Sequence, residues 1–415
     1  MEDKKVEHLI LLVGGNPLPN AVAGKLLVKP GGTITLIHSY GTADVAKRLR
    51  AWFQKHQVAQ DVKLKEVKEG DPTSIFDGVQ ECLNEAKPQT VGLNYTGGTK
   101  VMSVHAYRAV EQWSKEQWSK RGITAVFSYL DAHTLEIVFD PVNSQDVKQR
   151  IYVGRALQLK VDDLLALHGW TLKHNPKRTA LLPATARALA KACSNEDGFR
   201  KWSEWIDREF RPQCRRSDKE DWKSNTELMS VSLAMPAHSS LREVVEGLRS
   251  ELTMAGDDLR LDHKAFENEP KRFCEWLYGK WLEHHVLDIL NNLSASLYLH
   301  ECAQNVVPKE VEFDVDVVAL RGYQLFVFSC STDTKKGLLK LKLFEAYVRA
   351  RQLGGDEARV ALVCCSNDPE GLEHEMRRDV DSEGRIRVFG RKHLDKLDEH
   401  LATWIRGQIG ADPEK

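Results

Sequence analysis

The segment Asn94–Lys100 has the residue types of a ligand-binding loop. It reads Asn-Tyr-Thr-Gly-Gly-Thr-Lys and lies between a short strand-like run at 90–93 and a run with helical spacing of apolar residues from 101 onward. Paired glycines let the backbone approach a ligand closely, and a helix start offers free N–H groups at the positive end of the dipole. The segment predicts a site for a phosphorylated or anionic ligand, with an ordinary glycine-rich turn as the alternative.

A second group of residues, nearer the C-terminus, has the chemistry of a hydrolytic site. Asp314 and Asp316 are two apart in a strand-like run, so both carboxylates are expected on one face, and Ser329 and Ser331 are expected to share a face of the partner strand. Glu283 lies in an amphipathic helix before this hairpin. Hard divalent cations bind carboxylates and water, and can activate that water. The pattern indicates a metal-dependent nuclease core, with surface acids on an edge strand as the alternative.

Alternating strands and helices are predicted to position the first site. Residues 1–150 read as repeated βα units closed by a hairpin at 125–139, which is typical of a doubly wound parallel sheet. Polar loops at 14–20, 39–42 and 96–100 follow the first, second and fourth strands. Ligands bind at the carboxyl ends of such strands. We therefore expect the three loops to converge on one site.

The rest of the chain is less regular. Residues 151–270 read as a linker and a mainly helical insert, in which Trp202, Trp205 and Trp222 are interpreted as core. From 271 the pattern predicts a helix kinked at Gly279, the hairpin with the acids, a second helix and a further strand. A basic cluster at 211–216 is interpreted as a solvated face.

Composition limits the class of protein. The 415 residues carry a net charge of −1, are 29% charged and have a mean hydropathy of −0.43. With a net charge this close to zero, the molecule as a whole does not attract nucleic acid electrostatically. No apolar run approaches the roughly 18 residues of a membrane helix, and the N-terminus lacks a signal-peptide layout. The eight cysteines form no CxxC pair, which argues against a zinc site or disulfide framework. We expect a cytoplasmic protein.

The sequence resembles a known family of proteins in two of its regions. Residues 1–150 resemble a CARF domain, the cyclic-oligoadenylate sensor of type III CRISPR systems, and the C-terminal part is similar to the PD-(D/E)xK nuclease domain of CARF-fused ancillary effectors. Together these regions cover about two-thirds of the chain. The motifs that carry the resemblance are Leu9–Val13 with its Gly-Gly-Asn-Pro loop, Asn94–Met102, Gly279–Val286, Asp314–Val317, Phe328–Ser331, Leu343–Glu345 and Leu353–Gly355. A plain dinucleotide-binding enzyme is a further alternative, but the sequence lacks GxGxxG.

The resemblance implies an α/β protein with a Rossmann-like CARF domain at 1–150, a linker and helical insert at 151–270, and a restriction-endonuclease-like domain at 271–415. It implies a homodimer that binds a cyclic oligoadenylate, cyclic tetra-adenylate being the expected activator, in one shared pocket. Binding would allosterically activate an endonuclease that cleaves DNA, with RNA left open, in antiviral defence. The expected ligand-binding residues are Gly14, Gly15, Asn16, Ser39, Thr96, Gly97, Gly98, Thr99 and Lys100.

By the same resemblance, Glu283, Asp314 and Asp316 would hold magnesium or manganese, with the Cys330 carbonyl as a further ligand. The sequence departs from the family in two places: Asp314 stands where a glutamate is usual, and Ser331 occupies the place of the catalytic lysine. Serine supplies no positive charge to a phosphate. Either Lys335, Lys336 or Lys340 supplies the positive charge that Ser331 lacks, or the chain is a catalytically silent cyclic-oligoadenylate sensor with a degenerate nuclease domain.

Overall fold

Two β-sheets organise the structure, a computed structural model that describes residues 1–141, 148–216, 221–252, 254, 256, 258–380 and 384–413. One sheet has seven strands from the N-terminal part, and the other has five strands from the C-terminal part. Helices cover the faces of both sheets and fill most of the chain between them. The predicted α/β fold class is confirmed.

The N-terminal sheet has the strand order β3-β2-β1-β4-β5-β6-β7, with the first five strands parallel and the last two antiparallel. This places β1 between β2 and β4, as expected for a doubly wound sheet, and the predicted hairpin is β5–β6. The sequence did not predict the last strand. The strands are β1 Val6–Leu12, β2 Val28–His38, β3 Asp61–Glu66, β4 Val91–Asn94, β5 Ala125–Asp131, β6 Glu136–Phe139 and β7 Gln149–Tyr152.

Helices lie on both faces of this sheet because the side chains of β1 point alternately to the two faces. Leu9 and Leu11 pack in the core with α1 and α2, whereas Ile10 and Leu12 pack with α3 and α4. Asp71 caps α3 by accepting hydrogen bonds from the backbone N–H groups of its first turn, as its Asp-Pro start predicts. The helices are α1 Leu18–Leu27, α2 Ala43–Lys55, α3 Pro72–Ala86 and α4 Lys100–Arg121.

The middle of the chain is mainly helical, as predicted, and Trp202 and Trp205 are buried in its core. A π-helical turn at Ile206–Phe210 joins α7 to α8. The elements here are α5 Val161–His168, α6 Pro183–Ser194, α7 Glu196–Trp205, α8 Arg211–Cys214, α9 Asn225–Leu228, β8 Ser232–Ala234, α10 Arg242–Leu252 and β9 Asp258–Arg260.

The C-terminal sheet is mixed, with the order β10-β11-β12-β13-β14. Its first three strands are antiparallel and its last three parallel. The predicted kink at Gly279 is a π-helical turn, Trp276–Lys280, between α11 and α12. The elements are α11 Pro270–Glu275, α12 Trp281–Leu297, β10 Glu301–Val306, β11 Val315–Arg321, β12 Gln324–Ser331, α13 Lys336–Gly354, β13 Arg359–Cys364, α14 Pro369–Val380, β14 Ile386–Phe389 and α15 Leu397–Gly407.

The two sheets share one continuous apolar core. Residues of α1, α2 and α5 belong to the same cluster as residues of β11, α13 and β13. Asp412 adds a polar connection, because its carboxylate accepts hydrogen bonds from Tyr152 of the N-terminal sheet and from Arg321 of the C-terminal sheet. The position of one sheet is therefore coupled to that of the other by packing as well as by the chain.

Candidate ligand and nuclease sites

The loops after β1 and β4 meet at the carboxyl edge of the N-terminal sheet. A Cβ atom at Gly97 would lie 2.2 Å from the Leu12 carbonyl oxygen, and one at Gly14 would lie 3.1 Å from the Gly98 nitrogen. Gly98 has a φ of +76°, a conformation that favours glycine. The glycines are thus required for the two loops to touch, which brings the predicted Gly-rich segments together.

The side chains of Asn94 and Asn20, to which the sequence analysis assigned no role, hold this junction. The Asn94 amide donates to Ser128 Oγ at 3.1 Å and accepts from Thr96 Oγ1 at 2.7 Å, while Thr96 Oγ1 accepts from the Leu130 N–H. Asn20 donates to the Leu12 carbonyl at 2.9 Å. The Thr96 hydroxyl, predicted to contact ligand, therefore ties the loop to β5. An asparagine at the end of a buried strand was the available signal.

The start of α4 offers the free groups of the site. Thr99 caps the helix by accepting a hydrogen bond from the Met102 N–H at 3.2 Å, and both Thr99 and Lys100 are exposed. Gly15 is exposed as well, with nothing within 4 Å of where its Cβ would be. Helix N–H groups, a hydroxyl and an ammonium group suit an anionic ligand.

Two predicted ligand residues make other contacts. The buried Ser39 backbone N–H donates to Thr42 Oγ1 at 3.0 Å, and the two hydroxyls are 3.3 Å apart. Asn16 Oδ1 accepts from the Leu18 N–H at 3.0 Å, and its Nδ2 lies beside Gly355 of the C-terminal part. Both side chains shape the edge of the site. Tyr40, in the loop after β2, is 88% exposed.

The nuclease candidate centres on Asp316 in β11. Its Oδ2 accepts hydrogen bonds from the Cys330 backbone N–H at 2.7 Å and from Ser329 Oγ at 3.2 Å, both on β12. Asp314, Asp316 and Ser329 line one pocket of about 100 Å³. The structure thus brings together the two aspartates predicted to share a site, and the neighbouring strand fixes the orientation of one of them.

Glu283 is electrostatically coupled to these acids from α12. Burial, followed by the negative charge of Asp316, raises the pKa of Glu283 to about 8. Burial also raises the pKa of Asp316, against the opposing effects of the Cys330 N–H and of Lys342. A buried carboxylate whose pKa is raised by neighbouring negative charges belongs to a donor set that a divalent cation would stabilise.

Among the residues that the structure describes, no three His, Cys, Asp or Glu side chains are grouped closely enough to hold a metal ion by themselves. Magnesium sites commonly combine one or two carboxylates with waters and substrate phosphate. Asp316 and Glu283 are carboxylates of the kind that such a site uses.

Ser331 is set apart from the aspartates. Its hydroxyl accepts a hydrogen bond from the Asp333 N–H at 3.3 Å, and it lines a separate pocket on the side of the helical segment. Cys330 is fully buried, and burial raises the pKa of its thiol well above the usual value. The contact of Cys330 with Asp316 is made by its backbone.

The structure points to a lysine that the sequence analysis did not name. Lys336 pairs with Glu375 at 2.6 Å, and Lys340 pairs with Asp379 at 2.7 Å, both on α14. Lys342 instead lines the pocket of Asp314 and Asp316, and its charge lowers the pKa of both Asp316 and Glu283. In the described part of the chain its ammonium group makes no ion pair.

Known proteins share this architecture. Protein VC1899 from Vibrio cholerae aligns over 97% of this chain and 99% of its own, with a TM-score of 0.71 and 14% identity. Can2 from Sulfobacillus thermosulfidooxidans, solved in complex with cyclic tetra-adenylate, aligns over 96% and 97%, with a TM-score of 0.66 and 16% identity. A type III CRISPR defence DNA nuclease activated by cyclic oligoadenylate aligns over 87% of this chain and 45% of its own, with a TM-score of 0.51 and 16% identity.

These similarities confirm the predicted resemblance at the level of the fold: the chain shares its fold with Can2 over nearly the whole length of both proteins and with the aligned 45% of the CRISPR DNA nuclease. No protein-family profile matches the sequence, and no curated protein is significantly similar to it. In the described part of the chain, no helix has the length and apolar character needed to cross a membrane.

Proposed function

We propose that the chain is a cyclic-oligoadenylate-activated, metal-dependent endonuclease that cleaves DNA, and RNA as a second substrate, in type III CRISPR antiviral defence in the cytoplasm. The observation that carries this proposal is the pairing of two sites in one fold. A loop cluster suited to an anion lies on the N-terminal sheet, and a set of coupled acids lies on the C-terminal sheet. Fold relatives include a protein bound to cyclic tetra-adenylate and a DNA nuclease activated by cyclic oligoadenylate.

The ligand site is proposed to use all three loops. Lys100 and the N–H groups at the start of α4 bind phosphate, and the Gly14–Gly15 and Gly97–Gly98 backbones admit the ring. Thr96, Asn16 and Ser39 hold the loops in place. We assign cyclic tetra-adenylate as the activator and residues 1–150 as the sensing domain.

A homodimer is proposed to complete this site. Three apolar side chains of α4 are exposed, namely Val101 at 39%, Val104 at 55% and Trp118 at 60%. The first two adjoin Lys100, so a second α4 packed on this face would bring a second set of loops next to the first. A ring with repeated phosphates fits a site with twofold symmetry.

At the nuclease site we assign Glu283, Asp314 and Asp316 as the acids, with the Cys330 carbonyl as a further metal ligand and residues 271–415 as the nuclease domain. Bound magnesium or manganese would activate a water molecule and stabilise the leaving oxygen. Asp316 is held in orientation by Ser329 and the Cys330 N–H. Lys342 supplies the positive charge that Ser331 lacks and stabilises the phosphate as the P–O bond breaks.

The second candidate is a catalytically silent sensor, which serine rather than lysine at position 331 favours. One experiment separates the two. Purified protein is incubated with supercoiled plasmid, single-stranded DNA and RNA in manganese, with and without cyclic tetra-adenylate, beside the Asp316→Asn variant. Activator-dependent cleavage that the variant lacks supports the nuclease. Tight binding of the activator without cleavage of any substrate supports the sensor.

A further inference from the structure

A cleft of about 520 Å³ opens between the chain that precedes the helical segment, α11 and the start of α12. This volume is within the range of small-molecule sites, roughly 300–1,000 Å³. Three cationic side chains line the cleft, namely Lys177, Arg272 and Lys280, against the two carboxylates of Glu267 and Glu275. The cations come from different elements, so the fold brings them together.

The cleft borders the proposed nuclease site along α12. Lys280 and His284 both line it, and Glu283 lies between them in the sequence, turned by about 60° from Lys280 around the helix axis. Burial lowers the pKa of Lys280, and its hydrogen bond with Glu275 opposes this effect. The negative charges of Glu283 and Asp314 then help to raise that pKa above its usual value. A group bound in the cleft would therefore lie within electrostatic range of the proposed metal ligands.

Lys177 is fixed at this cleft by backbone pairing with the edge strand β10. Its N–H donates to the Gln304 carbonyl at 3.1 Å, and the Gln304 N–H donates to the Lys177 carbonyl at 2.8 Å. The side-chain amide of Gln304 lies 3.0 Å from Nε2 of His284. Gln304 thus connects Lys177 to the turn of α12 that carries Glu283.

Lys177 is the cation of the cleft that lacks a counter-ion. The glutamates nearby are paired with the other two cations, as Arg272–Glu267 and Arg272–Glu269, both at 2.7 Å, and as Lys280–Glu275 at 2.9 Å. Within the described part of the chain, the Lys177 ammonium group makes no ion pair. Partial burial lowers the pKa of Lys177, and the positive charges of Arg272 and Lys280 lower it further. A bound anion would relieve this repulsion.

The balance of charge indicates the kind of ligand. Three cations against two carboxylates in the lining leave one positive charge. A phosphodiester carries one negative charge, and its oxygens accept hydrogen bonds from lysine and arginine. Such contacts position a nucleic acid on a protein without reading its sequence.

We propose that this cleft binds one backbone phosphate of the substrate strand, flanking the bond that is cleaved, with Lys177 as the main contact. The inference rests on the proposed nuclease function and deepens it, because it gives the strand a path from the cleft past Glu283. Lys177 would act as a substrate-positioning residue.

The test measures binding without cleavage. In EDTA, with cyclic tetra-adenylate present, fluorescence anisotropy follows labelled oligothymidylate over a series of salt concentrations. Each phosphate contact of a single strand adds about 0.7 to the slope of log affinity against log salt concentration. Lys177→Ala should therefore reduce the magnitude of this slope by about 0.7 and weaken binding most at low salt. Lys177→Arg, which keeps the charge, should retain the wild-type slope.

Lys173→Ala is the matched control, because it removes the same charge from an exposed lysine of the same segment that does not line the cleft. It should keep the wild-type slope. Thermal unfolding shows whether each variant is folded. Thymidine 5′-monophosphate should compete far more weakly than unlabelled oligothymidylate, because the proposed ligand is a strand and not a free nucleotide.

The outcomes separate this inference from the proposed function. Equal slopes for wild type, Lys177→Ala and Lys173→Ala would overturn the phosphate site, and cleavage by the wild type in manganese would still support the nuclease. A slope that Lys177→Ala alone reduces, in a protein that cleaves nothing, would support the phosphate site and contradict the nuclease. Competition by the mononucleotide equal to that by the oligomer would assign the cleft to a free nucleotide and overturn the proposal. Wild-type protein that binds no oligomer at the lowest salt would overturn it as well, whatever the cleavage assay shows.

Discussion

The side-chain amide of Asn16 lies against the backbone of Gly355. A Cβ atom at Gly355 would lie 2.1 Å from Asn16 Nδ2, and Gly355 has a φ of +64°. The contact joins the first loop of the proposed ligand site to the end of α13, the helix that carries Lys342. It gives ligand binding a direct physical connection to the proposed nuclease pocket.

We predict that Gly355→Ala weakens activation more than it weakens ligand binding. Gly355 has a φ of +64° and a ψ of −149°, a conformation almost confined to glycine, so an alanine there costs about 1–3 kcal/mol of folding free energy, and the new methyl group displaces Asn16. Calorimetry should find the affinity for cyclic tetra-adenylate within threefold of wild type, while activated cleavage falls at least tenfold. Gly384→Ala is the matched control, because Gly384 has a φ of +82° with nothing within 4 Å of a Cβ. Equal loss of activation in both variants would mean that the contact between Asn16 and Gly355 does not carry the effect of ligand binding to the nuclease pocket.

Lys342→Ala is predicted to reduce cleavage by about 10² to 10³, the usual cost of losing one group that stabilises charge in the transition state. Lys342→Arg should retain more activity because it keeps the charge. Lys340→Ala, whose ammonium group pairs with Asp379, should cleave like wild type. Single-turnover rates measure the effect. If Lys342→Ala also cleaves like wild type, another group supplies the positive charge that stabilises the transition state. Adding Ser331→Lys should then change the cleavage rate little.

Gly97→Ala is predicted to abolish binding of the cyclic nucleotide. The added methyl group would overlap the Leu12 carbonyl oxygen, so the loops after β1 and β4 must separate. Gly407→Ala is the control, since its Cβ would project into open space and it lies in α15, outside the proposed ligand site. Titration calorimetry compares the two, and thermal unfolding shows whether each variant is folded. Retained affinity in a folded Gly97→Ala variant would show that the ligand does not use this junction.

Acid is predicted to destabilise the protein through buried histidines. Burial lowers the pKa to about 4 in His8, His168 and His285, and to about 3 in His284. An unfolded histidine has a pKa near 6.5, so below that pH the unfolded state binds more protons than the folded state. Their contribution to stability is complete above about pH 6.5 and is lost as the pH falls towards 4, at up to about 1.4 kcal/mol per pH unit for each.

Urea unfolding at pH 8, 7 and 5.5 checks this prediction. Burial raises the pKa of Glu283 to about 8 and that of Glu357 to about 7, and these groups favour the folded state as the pH falls. Variants are therefore needed to separate the effect of the histidines on stability from the opposite effect of these two glutamates. His8→Gln should show a shallower loss of stability below pH 6.5 than wild type, and the exposed His374→Gln should not. Parallel pH profiles for all three proteins would contradict the argument.

Local pattern was enough to predict six of the seven strands of the first sheet. Apolar runs followed by glycine or polar residues placed the loops after β1, β2 and β4 on one edge. Asp314 and Asp316 were predicted to share a face of one strand, but the strand β11 begins at Val315 and contains only Asp316. The alternating and largely polar sequence of β10 gave too weak a signal for a strand. The domain boundaries and the individual roles of the site residues stay predictions.

Contacts between distant segments could not be predicted in the same way. Nothing local distinguishes Lys342 from the other basic residues of α13, because its place depends on how that helix packs on the C-terminal sheet. The Asn16 side chain faces a residue more than three hundred positions away in the sequence. Its Oδ1 caps the following turn, which is the local role that an asparagine before proline suggests.

The π-helical turn at Trp276–Lys280 lets α11 and α12 continue each other with one extra residue between them. A π turn accommodates one residue more than an α-helical turn, so deleting Gly279 would allow α11 and α12 to join as one regular helix. Because the wider turn already absorbs the extra residue, Glu283 would keep nearly the same direction relative to α11 after this deletion. Inserting a residue between Leu282 and Glu283, where no wider turn absorbs it, would instead rotate the carboxylate by about 100° around the helix axis. One added codon at that point would turn the carboxylate away while every acidic residue remained in the sequence.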